Sequence, residues 1–100
     1  MKGREAIESF YEKYNFKPYD VVCMEIIAKL KDKPIFIGNC NIVVKENYRT
    51  GSLEIDCLDD SFQAKKIGSS WNTKKHDIAF DNGKLIIIDK VKEVKIIIGN

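Results

Sequence analysis

The sequence predicts an α+β domain, with one N-terminal helix packed on a strongly bent antiparallel sheet of five or six strands that can close into a small barrel. Two patterns carry this. Apolar residues first recur at helical spacing and then, beyond Pro18, alternate with polar ones. Short clusters of turn-forming residues divide the alternating part into strands.

Ile7, Phe10, Tyr11 and Tyr14 stand at i, i+3, i+4 and i+7, one face of a helix over about 3–15. Arg4 and Glu8 form an i,i+4 charge pair on its outer side. Asn15 suits a left-handed stop, and Pro18 prevents the helix from resuming. So short a helix is unstable alone, so its aromatic face must dock on something.

Residues 20–58 read as a three-stranded meander. Met24, Ile26, Ala28 and Leu30 share one face, as do Phe36, Cys40, Ile42 and Val44, and then Leu53, Ile55 and Cys57. The turns fall at Asp32-Lys33-Pro34 and at Asn47 to Gly51, with Gly51 at a left-handed position. Residues 59–75 form an irregular connection, with a short helix over 59–68. A hairpin and a last strand fill 76–99. Asn82-Gly83 is the pair that a two-residue type I′ turn prefers, and it sets Phe80 opposite Leu85 and Ile78 opposite Ile87. Ile86 and Ile88 then fall on the other face. A strand apolar on both faces is expected to be covered on both.

One hundred residues make a single domain, 1–100, with one modest core. At 44% hydrophobic and 32% charged the chain is of ordinary globular type. Seventeen basic residues against 15 acidic ones give a net charge of +2, too balanced to imply a polyanion partner. Fifteen Ile, 15 Lys and 7 Asn accompany only 2 Arg. Scarce arginine argues against a dedicated DNA reader. The bias suits an A/T-rich genome, such as that of a low-G+C bacterium or one of its phages. Charges at Arg4, Glu5 and Glu8 interrupt any signal-peptide core, and no apolar run reaches membrane-spanning length. With an odd cysteine count, these point to the cytoplasm, with no membrane partner.

Residues 28–38, AKLKDKPIFIG, are similar to the opening motif of Sm-like proteins, in which a Leu-Lys-Asp-Gly turn precedes a strand carrying a glycine. Leu30, Lys31, Asp32 and Gly38 occupy the matching positions, while Lys33-Pro34 replaces the turn glycine. The helix-then-meander order also resembles Sm-like and SH3-like small barrels. The resemblance implies barrel topology. The base-binding signatures of that family are absent, so it does not imply RNA binding.

Cys23, Cys40 and Cys57 are 17 residues apart each time, but zinc sites are built from close pairs. Alternation sends Cys40 and Cys57 inward and Cys23 outward, so no metal site and three free thiols are expected. No catalytic or cofactor motif occurs, and Asp77, next to His76, points to the opposite strand face. No catalytic residue, metal or cofactor is therefore assigned. A small enzyme using His76 or a cysteine ranks last.

The candidate binding residues are Lys65, Lys66, Trp71, Asn72, Lys74, Lys75 and His76, with Tyr48 and Arg49 at a hairpin tip. Charge beside a flat ring suits single-stranded nucleic acid. Tryptophan is also a common anchor at protein interfaces. Alternatively Trp71 seals the sheet and the lysines are merely solvated, so the exposure of Trp71 decides between these readings. The leading expectation is a non-catalytic interaction protein with a protein partner, as an accessory or inhibitory protein of a bacterium or phage. Single-stranded nucleic-acid binding is the alternative. An open sheet edge could also recruit a second copy.

Overall fold

The computed structural model describes residues 2–60, 62, 67, 68 and 70–100. The elements run α1 (Arg4–Tyr14), β1 (Val22–Leu30), β2 (Lys33–Asn47), β3 (Ser52–Cys57), β4 (Ser70–Asn72), β5 (Asp77–Asp81), β6 (Lys84–Asp89) and β7 (Val94–Ile98). The strands form one antiparallel sheet in the order β4-β3-β2-β1-β7-β6-β5. The α+β class holds, but with seven strands where five or six were expected. The added strand is β4. Three residues are too few to show alternation, and Ser70 and Asn72 make the stretch look like loop.

The sheet curls into a nearly closed, barrel-like shape whose inner face is the core. Ile26, Ile42, Ile55, Leu85, Ile87, Ile96 and Ile98 are fully buried there. Helix α1 contacts β5 and β6 near one end of the sheet and β3 near the other. It thus lies over the gap between the two ends. Ala6, Ile7 and Phe10 are its buried residues. Burying Ile7 and Phe10 contributes about 1.5–3 kcal/mol each, enough to hold a helix that is unstable alone. Asn15 caps it in the left-handed region at φ 54°, with its N–H donating to the Tyr11 carbonyl. Arg4 ignores Glu8 and reaches across to Glu46, at 2.9 Å, and to the Gly51 carbonyl, also 2.9 Å.

The hairpin register around Asn82-Gly83 is as expected, with φ of 51° and 75° at the two turn residues. The first turn differs. Lys31 and Asp32, at φ 49° and 66°, make the reversal, while Lys33 and Pro34 already belong to β2. Pro34 is tolerated because it sits at the strand start, beside a register shift at Ala28/Lys29. Half of the short helix expected over 59–68 falls outside the described residues. Ile86 is half-buried and Ile88 is 38% exposed, so the outer face of β6 lacks the expected cover.

The expectation of three free thiols is overturned, because Cys40 and Cys57 are joined by a disulfide. The register is the expected one, with Cys57 opposite Ile42 and Cys40 on the diagonal. Strand twist brings one diagonal closer than a flat sheet would. The Cα atoms are 6.8 Å apart, within bridging range without any slip. Cys23 is free and exposed. The bond also removes the argument for a reducing compartment drawn from the odd cysteine count.

Candidate functional site: two loop ends of the sheet

Residues 70–76 comprise β4 and the four-residue link from it to β5, the two outer strands of the sheet. Trp71 stands opposite Ile55, so strand alternation turns its ring inward, and it is 1% exposed. Its ring packs edge-on near Phe62, at 6.4 Å between centroids, and Phe62 in turn meets Phe36 at 4.5 Å. The ring is core, and no face of it is left for a base to stack on.

The rest of the loop is tied by hydrogen bonds. The Asn72 side-chain oxygen accepts from the N–H groups of Lys74 and Lys75 at 3.0 and 2.8 Å. Thr73 exchanges bonds with Leu53, donating its N–H to the Leu53 carbonyl and accepting the Leu53 N–H on its hydroxyl. His76 is largely buried. Its Nδ1 accepts the Asn72 N–H at 3.1 Å, and its Nε2 lies 3.5 Å from Asp89. Both ring nitrogens therefore face partners within the fold. Asp89 was not anticipated as the partner. Extending the Asn82-Gly83 register by one step beyond Asp77↔Ile88 would have found it. Lys74 and Lys75 are exposed at the loop tip, while Lys65 and Lys66 lie outside the described residues. Among the described residues, no three of His, Cys, Asp and Glu converge as metal ligands. No described helix is long and apolar enough to cross a membrane.

The β2–β3 turn carries the other candidates, Tyr48 and Arg49. Asn47 organises it, its side-chain oxygen accepting from the N–H groups of Arg49 and Thr50 at 3.1 and 3.4 Å. Gly51 closes it at φ 69°. Tyr48 is 81% exposed. Arg49 makes no ion pair among the described residues. Tyr19, itself 53% exposed, donates its hydroxyl to the Glu46 carbonyl at 3.3 Å and lines the same open cleft of about 510 Å³ as Tyr48 and Arg49. Arg4 reaches this turn through Gly51, so both arginines of the chain gather here. Tyr19 is a member that sequence reading missed. Its place after Pro18 gave no strand parity, and it takes a positive φ of 71° to return to β2. Near this cluster the buried Tyr11 hydroxyl has no hydrogen-bond partner among the described residues. Burial, and then the Glu46 carboxylate, push its phenol up to about 12.

The sheet edges are short. Strand β4 has three residues, and the outer side of β5 receives the Gly3 N–H at the Ile78 carbonyl, 2.8 Å, beside a bridge from Lys2 to Ala79. No family model, curated protein or solved structure matches the chain.

Proposed function

We propose that this chain is a small non-catalytic protein-binding domain whose working surface is the tip of the β2–β3 hairpin. The observation that carries this reading is the exposed Tyr48 beside Arg49, which makes no ion pair among the described residues, with Tyr19 across a shallow cleft. Tyrosine and arginine are the residue types that dominate binding energy at protein interfaces. The tyrosine rings add contact area at little entropic cost, and the Asn47 bonds hold the turn in shape before any partner arrives. The near-neutral net charge favours a protein partner over a polyanion. An accessory or inhibitory role in a bacterium or phage fits the size and composition. The resemblance to Sm-like and SH3-like barrels supports a compact binding scaffold and nothing more specific.

Capture of partners from the source cell, with and without nuclease, tests this. Tyr48→Ala/Arg49→Ala is expected to lose a partner that Lys74→Ala/Lys75→Ala retains, with nuclease making no difference. Binding that depends on the lysines or disappears with nuclease would overturn it.

A further inference from the structure

The outer face of the sheet carries a second feature. Ile37, Ile27, Ile97 and Ile86 are direct cross-strand partners in turn, one from each of β2, β1, β7 and β6. Their neighbours Ile26, Ala28, Ile96, Ile98, Leu85 and Ile87 face the core, so alternation turns these four isoleucines outward. Ile37 is 68% exposed, Ile27, Ile97 and Ile86 are half-buried, and Ile88 stands in the next row, opposite Lys95. A sheet with one solvated face ordinarily carries polar residues there. This one carries an uninterrupted apolar band.

Charge flanks the band unevenly. Lys29 and Lys95 stand opposite each other in the next row, a like-charge pair that destabilises a sheet. Glu25 lies in the row on the other side of Ile27. Among the described residues none of these three has an ion-pair partner.

We propose that a second copy of this chain docks on the band, outer face to outer face, about a two-fold axis running along the isoleucine row. Rotation about that axis reverses the strand direction and lays Glu25 of each copy over Lys29 and Lys95 of the other. An axis parallel to the strands would stack Lys29 on Lys29, so charge selects the first arrangement. An isologous contact needs a self-complementary patch, and this one supplies the apolar band and both unpaired signs itself. Four strands at ~4.8 Å spacing and five residues at ~3.4 Å outline at most about 300 Å² per copy, and the curl of the sheet leaves its middle strands, β1 and β7, in closest contact. Pairing therefore removes less than about 1,000 Å² in total, below the usual range for a specific interface. The dimer is therefore reversible. It is independent of the hairpin tip, which lies beyond the band.

Sedimentation velocity between about 10 µM and about 1 mM tests the proposal. The wild-type chain is expected to pass from monomer to dimer, and Ile37→Asp to loosen the dimer about tenfold or more. Glu25→Lys alone and Lys29→Glu/Lys95→Glu alone should each stay monomeric, with circular dichroism confirming that both fold. Their equimolar mixture should dimerise, because every flank then meets its opposite. A wild-type chain that is monomeric throughout overturns the proposal. So does a dimer indifferent to Ile37→Asp, or a mixture that stays monomeric.

Discussion

The two loops at 47–51 and 72–76 are built alike and end differently. Each begins with an asparagine whose side-chain oxygen collects the N–H groups two and three residues on. Each has an aromatic residue next to that asparagine and basic residues nearby. Yet Trp71 is buried while Tyr48 is exposed. The difference is position relative to the asparagine. Trp71 precedes it and still belongs to a strand, so the parity set by Ile55 turns the ring inward. Tyr48 follows it, beyond the last paired residue of β2, where no parity applies. The local mix of residue types is therefore a poor guide to exposure, and strand pairing is the better one.

The largest expected effect separates the two aromatics. Trp71→Ala should cost about 3–5 kcal/mol of stability by leaving a cavity beside Phe62. Tyr48→Ala should stay within about 0.5 kcal/mol. Urea denaturation of both variants checks this, and equal losses would break the comparison. Next comes His76→Ala, expected to cost about 1–3 kcal/mol by stranding the Asn72 N–H and uncoupling Asp89, again read by urea midpoint. Asn72→Ala and Asn47→Ala should each cost about 1 kcal/mol. Closely similar losses would show that the two turns share one local mechanism.

The smallest effect at neutral pH lies beside the hairpin tip. The Tyr11 phenol ionises at about 12 in the folded chain against 10.0 for the free group, so the unfolded chain releases its proton first. The contribution is complete below pH 10 and drains away as pH rises towards 12. Tyr11→Phe should flatten the fall in stability above pH 10 without altering the Trp71 side of the molecule. An unchanged alkaline slope in that variant would contradict the assignment.

Much of the fold was legible in the sequence because alternation and turn chemistry are local signals. The helix stop at Asn15, the Asn82-Gly83 turn and the inward faces of β1, β2 and β3 all follow from neighbours within a few residues. What escaped depends on partners far along the chain. Three-residue β4 is a strand only because β3 lies beside it. The Cys40–Cys57 bond depends on twist, which periodicity does not encode. Of the candidate site, Tyr48 and Arg49 were readable as a hairpin tip, while Tyr19 joins them through a fold-back that no pattern announces. The inward turn of Trp71 was masked by its polar surroundings.

The connection at 73–76 has a mechanical meaning. Strands β4 and β5 are the two free ends of the sheet, and these four residues fasten one to the other like the clasp of a bracelet. An open sheet can peel from its last strand inward. Here neither end can leave without dragging the other, so the ring must release its clasp or come apart as a whole. Lys74 and Lys75, standing exposed on that clasp, offer a trypsin-like protease the place to undo it.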